Sequence, residues 1–210
     1  KHLHYDWYTR NSLIDHFLHP NTKLEEFVKC QYGEQGDFVN QPYKYKINEN
    51  SLKFIRDGFV WVNDFLNPLR LEKEISFNKK GSELSIKYTL INTSHREIQL
   101  WFGTEFNFSF TSADDKDCVY YIPGEDLKDN RFNSIGEKKN ISSWGMFDKY
   151  QNIDVLLEFS KPVVIWYFPV ETISEGDMAY EKVYQQSVIL PNIKTFLATD
   201  ENWEISLNLK

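Results

Sequence analysis

The sequence predicts an all-β fold, an antiparallel β-sandwich formed by one domain that spans residues 1–210. Aromatic residues make up 16% of the chain, and Tyr, Phe and Trp suit the pleated, half-buried surface of a sheet. Apolar and polar residues alternate with a period of two through much of the sequence. Turn-forming sequences interrupt the alternation every roughly 8–15 residues, which is typical of antiparallel sandwiches.

The clearest strand covers residues 84–90, where four apolar residues alternate with three polar ones. The strand before it ends at Asn78–Gly81, a sequence typical of turns between antiparallel strands. Residues 111–143 are acidic, polar and rich in turns, with Gly136–Asn140 as one expected turn. The complete set of predicted strands is 43–47, 52–56, 59–62, 69–77, 84–90, 98–102, 106–110, 119–122, 155–159, 163–168, 184–190 and 203–209.

Helical periodicity is weak everywhere except near the N-terminus. Leu13, Ile14, Phe17 and Leu18 are spaced so that they share one face of a helix of about two turns. A short helical segment is therefore predicted there.

Charge and hydropathy exclude several classes of function. The net charge is −7 and the isoelectric point is about 5.3, so the chain lacks the basic surface that binds nucleic acid or anionic lipid. No apolar run approaches the roughly 20 residues that cross a bilayer. The chain begins at Lys1 and shows no signal-peptide pattern. We therefore expect a piece of a longer cytoplasmic protein, with no nucleic-acid or membrane partner.

Four stretches carry a family resemblance. Residues 5–18 read YDWYTRNSLIDHFL, with a Tyr-Asp pair, then Arg10, then Ser12 and Asp-His-Phe. Three later stretches, 102–108, 166–170 and 181–188, read FGTEFNF, WYFPV and EKVYQQSV. Together they resemble the C-terminal region of glycoside hydrolase family 57, the retaining α-amylases and 4-α-glucanotransferases. The resemblance extends over almost the whole chain.

The resemblance implies a galactose-mutarotase-like supersandwich and a role in carbohydrate metabolism. In that family the catalytic glutamate and aspartate lie on an N-terminal barrel. Retaining hydrolysis needs two carboxyl groups held about 5–5.5 Å apart, and no stretch of this chain resembles the motifs of the barrel. The expected function is thus a non-catalytic accessory domain of an α-glucan-acting hydrolase or transferase. Its expected partners are the barrel of the same polypeptide and α-glucan, without catalytic residues, metal or cofactor.

The opening segment holds four candidate site residues, Asp6, Arg10, Asp15 and His16. Their closeness in sequence predicts that they lie near one another, and an arginine can bind a carboxylate through two parallel hydrogen bonds. One interpretation is that they face the barrel or contact sugar hydroxyls. The other is a local ion-pair cluster that fastens the N-terminal segment to its own sandwich.

Glu105 is the next candidate, because it is a carboxylate inside a strongly aromatic strand. Alternation places it on the same face as Asn107. Mutarotase-like epimerases use a glutamate and a histidine as base and acid, so Glu105 with His16 or His95 is the basis of an alternative, a free-standing aldose epimerase-like enzyme. The simpler interpretation is that Glu105 is hydrogen-bonded to the backbone or to Arg10.

Tryptophans suggest a third interpretation, a carbohydrate-binding module, because flat rings pack against the apolar faces of sugars. Trp144, beside Gly145 in the long polar region, and Trp7, in the opening segment, are the candidates, because both are expected to be exposed. Trp61, Trp166 and Trp203 lie in apolar strands and are expected in the core.

Overall fold

The computed structural model describes residues 5–77, 83–175 and 180–210, and antiparallel strands form nearly all of their regular structure. The predicted all-β class is thus confirmed. The predicted turn at Asn78–Gly81 lies outside the described residues. The elements are β1 (Ile14–Phe17), α1 (Leu24–Val28), β2 (Lys44–Ile47), β3 (Ser51–Val62), β4 (Phe65–Phe77), β5 (Leu84–Asn92), β6 (Ile98–Phe108), β7 (Cys118–Tyr121), β8 (Gly136–Asp148), β9 (Ile153–Glu175), β10 (Tyr180–Leu197) and β11 (Asn202–Leu209).

Hydrogen bonding links the strands in the order β1-β6-β10-β9-β11-β5-β4-β3-β2, with β8 on β9 and β7 on β8. Although β5 and β6 are four places apart in this order, the Tyr88 hydroxyl of β5 lies 2.7 Å from the Thr104 hydroxyl of β6. The Tyr88 ring also meets Phe102 edge to face, with 5.2 Å between the ring centroids. The sheet therefore folds over on itself, and the apolar faces of its two halves meet to form the core of a sandwich.

The first strand corrects the predicted N-terminal helix. Leu13 adopts a φ of 65°, in the left-handed region that an α-helix excludes. The next four residues pair with β6, so that Ile14 lies opposite Glu105 and Phe17 opposite Phe102. Backbone pairing with β6 thus outweighs the apolar helical spacing. A short helix does lie near the N-terminus, but it is α1, whose first turn is closed by a hydrogen bond from the Lys23 amide to Glu26 Oε2 (2.9 Å).

Strand β8 corrects a second expectation, since Gly136–Asn140 was predicted to be a turn. The pairing of β8 with β9 shifts register between Lys138 and Ile141, and Asn140 adopts a φ of 60°. A bulge at this position lets the strand continue through a polar stretch. Beyond it, Trp144 pairs with Leu157 and is fully buried, packing against the rings of Tyr120 and Tyr167.

The exposure of Trp144 and that of Trp61 are therefore both the reverse of what the sequence predicts. Trp144 was expected to be exposed, but β8 brings it into the core. Trp61 was expected in the core, but it lies on the outward-facing phase of β3 and is 52% exposed. Trp166 is buried, as predicted, and Trp203 is half-buried.

Candidate functional site

The site is built around β1, whose four side chains are all buried. Alternation along a strand sends neighbouring side chains to opposite faces of the sheet. Phe17 packs in the core beside Phe102 (5.5 Å between ring centroids). His16 lies on the other face, beside the ring of Phe27 in α1. Asp15 and His16 therefore belong to two separate environments, and the expectation of one cluster is wrong for Asp15.

Arg10 links the N-terminal segment to β6. Its guanidinium donates to both carboxylate oxygens of Asp6, at 2.9 and 3.0 Å. Nη1 lies 3.3 and 3.4 Å from the two carboxylate oxygens of Glu105 and donates to the Tyr8 hydroxyl at 2.9 Å. That hydroxyl in turn donates to Glu105 Oε2 at 2.6 Å. The predicted pairing of Glu105 with Arg10 is present, and so is its shared face with Asn107, whose amide donates to Glu105 Oε1 at 2.7 Å.

His16 lies between two carboxylates. Its Nε2 is 3.1 Å from Glu105 Oε2, and its Nδ1 is 3.0 Å from Glu34 Oε2. The Tyr32 hydroxyl lies 3.1 Å from the same Nδ1. Glu34 also accepts the Phe17 amide at 2.7 Å. We call the group formed by Asp6, Tyr8, Arg10, His16, Tyr32, Glu34 and Glu105 the Glu105 cluster.

Electrostatics keep this cluster charged. Burial by itself favours neutral His16, but hydrogen bonds to Glu105 and Glu34, together with their negative charges, raise its pKa to about 9. Burial also opposes the charge on Glu105, yet His16 and Arg10 hold its pKa below the ordinary value. Both ring nitrogens of His16 are therefore protonated at neutral pH, and each donates to a carboxylate.

This arrangement does not suit epimerase chemistry. An acid and a base that act on a sugar must reach it, through direct hydrogen bonds or one water molecule. Glu105 and His16 instead bond to each other, and neither has exposed surface. His95 lies in an exposed turn, so it shares no open site with the buried Glu105. What the cluster can do is fix the N-terminal segment rigidly on the sandwich.

Asp15 forms a second buried ion pair, on the core face. Its Oδ2 accepts hydrogen bonds from Lys73 Nζ at 2.8 Å and from the Tyr43 hydroxyl at 2.7 Å. Lys73 also donates to the Leu13 carbonyl at 2.6 Å. The remaining carboxylate oxygen of Asp15, Oδ1, is buried and has no hydrogen-bond partner among the described residues. Asp15 thus ties β1 to β4 across the sandwich.

Two aromatic side chains of the N-terminal segment face solvent. Tyr5 is 82% exposed and Trp7 is 50% exposed, so the predicted exposure of Trp7 is observed. The Trp7 and Tyr8 rings pack edge to face with 4.8 Å between centroids, and the Trp7 centroid lies 6.2 Å from that of Tyr32. Tyr8 and Tyr32, two members of the Glu105 cluster, therefore support the Trp7 ring.

Several partners in this site were not predicted from the sequence, although the sequence does indicate a buried role for one of them, Lys73. Lys73 falls on the same alternation phase as the apolar residues Leu69, Leu71 and Ile75, and a lysine on the apolar face of a strand needs a buried carboxylate. Tyr8, Tyr32 and Glu34 had no comparable signal, because they lie outside regular strands, in segments whose path the sequence does not specify. Tyr43 was predicted to begin a strand, but nothing in the sequence indicated its bond to Asp15.

Comparison with known proteins gives the following relatives. Residues 1–207 match the family model described as Alpha-amylase/4-alpha-glucanotransferase, C-terminal. The chain is 30% identical over 185 residues to a 4-alpha-glucanotransferase of Thermococcus litoralis and 28% identical over 186 residues to an alpha-amylase of Pyrococcus abyssi. Each alignment covers 88% of this chain but 24% of the relative. The chain thus spans about a quarter of the length of these relatives.

Solved structures agree with the sequence relatives. The crystal structure of the 4-alpha-glucanotransferase from Thermococcus litoralis matches 99% of this chain and 28% of that one, with a TM-score of 0.78 and 26% identity. A putative aldose 1-epimerase from Escherichia coli K12 matches 95% of this chain and 80% of that one, with a TM-score of 0.57 and 11% identity, and so shares the fold alone.

Across residues 5–77, 83–175 and 180–210, no helix has the length and apolar character to span a bilayer.

The match of nearly the whole chain to one family model, the sequence relatives and the shared fold lead to one conclusion. The chain belongs to the family formed by the C-terminal domains of α-amylases and 4-α-glucanotransferases.

Proposed function

We propose that this chain is one non-catalytic domain that packs against the catalytic barrel of an α-glucan-acting hydrolase or glucanotransferase, within the same polypeptide. The observation that carries the proposal is a rigidly held N-terminal segment with two exposed aromatic rings. About three-quarters of the length of its relatives lies outside this domain, and that length is room for a catalytic barrel.

The Glu105 cluster holds the segment in place. Arg10 spans Asp6 and Glu105, and its side chain is almost entirely buried. Removing one partner of a buried ion pair costs about 3–5 kcal/mol, so the segment does not detach easily. A segment that is already ordered loses little further conformational entropy when it binds a partner.

Tyr5 and Trp7 are the residues that we assign to the contact with the barrel. Aromatic residues are enriched in the buried centres of protein interfaces. Here they project from a segment whose Asp6 and Tyr8 side chains are both hydrogen-bonded to Arg10. In this proposal the carboxylates of the cluster position the contact and take no part in chemistry.

The proposed compartment is the cytoplasm. Cys30 and Cys118 are both buried and free, and burial raises the pKa of each thiol to about 11, which disfavours the reactive thiolate. Two unpaired, unreactive thiols suit a reducing compartment.

The test compares the complete enzyme with this domain alone. The double variant Tyr5→Ala/Trp7→Ala removes the exposed rings. The control is Tyr45→Ala, which removes a ring of intermediate exposure (65%) from the edge strand β2. Calorimetry should show that the double variant lowers the melting temperature of the complete enzyme by several degrees and that of the domain alone by much less. Equal effects in both proteins, or no effect in the enzyme, would contradict the proposal.

A further inference from the structure

A groove of about 630 Å³ opens between the end of β3 and the outward face of β6 and β10. Pockets of about 300–1,000 Å³ are typical of small-molecule sites. Strand pairing sets Lys194 of β10 opposite Trp101 of β6, and Phe196 opposite Gln99. These four side chains therefore form one surface on the side of the sheet that faces away from the core.

The rings of Trp61, Trp101 and Phe196 are part of the groove lining. Trp61 and Phe196 are about half exposed, at 52% and 55%. Trp101 is half-buried and fixed at its edge, because its Nε1 donates to Asn192 Oδ1 at 2.8 Å and its ring meets Trp166 at 5.4 Å between centroids. The Lys194 ammonium lies 4.2 Å from the centroid of the Trp101 ring. At least one ring of the groove is thus oriented before any ligand arrives.

Polar side chains without partners accompany these rings. Asp64, Glu97 and Gln99 line the groove and are exposed. None of the three forms a side-chain hydrogen bond or ion pair within the described part of the chain. The groove therefore offers carboxylate and amide oxygens that are free to accept hydrogen bonds.

Aromatic rings beside free acceptors match the chemistry of a pyranose oligosaccharide. Each sugar has an apolar C–H face that packs on a ring and hydroxyl groups at its rim that donate to carboxylates. A docked protein surface would bury Asp64 and Glu97, which is costly unless every charge finds a partner. The acidic rim also disfavours nucleic acid, whose phosphates are negatively charged.

We propose that this groove binds α-glucan, with Trp61 and Phe196 as stacking rings and Asp64, Glu97 and Gln99 as hydroxyl acceptors. The assignment of the sugar linkage rests on the proposed function, because the geometry alone specifies only a pyranose oligosaccharide. The groove is separate from the Glu105 cluster, so that binding of sugar and contact with the barrel use different residues.

Isothermal titration calorimetry of this chain with maltoheptaose tests the proposal, with cellohexaose as the β-linked comparison. Trp61→Ala and Phe196→Ala each remove one exposed ring from the groove, and Tyr45→Ala removes an exposed ring from β2, outside it. Circular dichroism melts verify that all three variants fold. We expect each groove variant to weaken maltoheptaose binding at least tenfold and Tyr45→Ala to leave it unchanged.

Three results would overturn the proposal. They are no heat of binding with maltoheptaose at about 10 mM, binding that both groove variants retain, and binding of cellohexaose in place of maltoheptaose. The calorimetry uses this chain without the barrel, so failure of the proposed contact at Tyr5 and Trp7 leaves the binding constant unaffected. Failure of either proposal can therefore be recognised separately.

Discussion

Replacing Glu105 by glutamine is the sharpest perturbation of the cluster that holds the N-terminal segment. The two side chains have nearly the same shape, so the change leaves no cavity and removes only charge and hydrogen-bond acceptors. Glu105 accepts from Tyr8 at 2.6 Å, from His16 at 3.1 Å and from the Asn107 amide at 2.7 Å, and it faces the Arg10 guanidinium. In a glutamine, the NH₂ group would replace one of the two acceptor oxygens and would face a group that itself donates a hydrogen bond.

The expected loss follows from burial. Glu105 has no exposed surface, and neither has the His16 ring. Removing one partner of such a pair leaves the other charge buried and uncompensated, which costs about 3–5 kcal/mol of unfolding free energy. For a chain of this length each kcal/mol corresponds to about 2–4 °C in melting temperature, so the melting temperature of Glu105→Gln should fall by roughly 6–20 °C.

Urea denaturation at pH 7 measures the loss directly, as a shift of the midpoint at unchanged slope. The matched control is Glu204→Gln. Glu204 also pairs with a cation, Lys87, at 2.8 Å, but both side chains are about half exposed. Exposed pairs contribute little, so the control should lose no more than about 0.5 kcal/mol. A loss below about 1 kcal/mol for Glu105→Gln would refute the view that the cluster anchors the segment.

Two further predictions concern charge and pH. The pKa of His16 is raised to about 9, so its stabilising effect is complete below about pH 6.5 and is lost as the pH rises through about 9, a fall of about 3 kcal/mol. Urea midpoints measured from pH 6 to pH 10 should show that fall in stability, and a His16→Gln variant should lack it. The same pH dependence of stability in both proteins would contradict the assignment of the fall to His16. Lys73→Met should lower the free energy of unfolding by about 3–5 kcal/mol because it leaves the buried carboxylate of Asp15 without its cation. In a double-mutant cycle, adding Asp15→Asn should restore part of that loss. Strict additivity would show that the two residues are not coupled.

The strands were largely predictable because alternation is a local property. Residues 84–90 became β5 within two residues of the predicted bounds. Strand β1 was missed because Leu13, Ile14, Phe17 and Leu18 also fit a helical spacing, and only the pairing of Ile14–Phe17 with β6 decides between helix and strand. Trp144 was misplaced because a bulge at Asn140 carries β8 through a polar stretch that reads as a turn.

The site was predictable only in part, for a related reason. Glu105, Arg10 and His16 were identified from the sequence, and the link between Glu105 and Arg10 followed from their chemistry. Their separation from Asp15 depends on recognising β1 as a strand. The importance of Trp61 depends on which phase of β3 faces outward, and that is decided by the packing of the two halves of the sheet rather than by the sequence of β3 itself.

Amide hydrogen exchange of residues 5–10, measured in this chain and in the complete enzyme that contains it, tests the central claim most directly. None of these amides donates a hydrogen bond to a backbone carbonyl within the described residues, so we predict that they exchange readily in the isolated chain and that the barrel slows their exchange by covering Tyr5 and Trp7. Exchange at the same rate in both proteins would contradict this prediction.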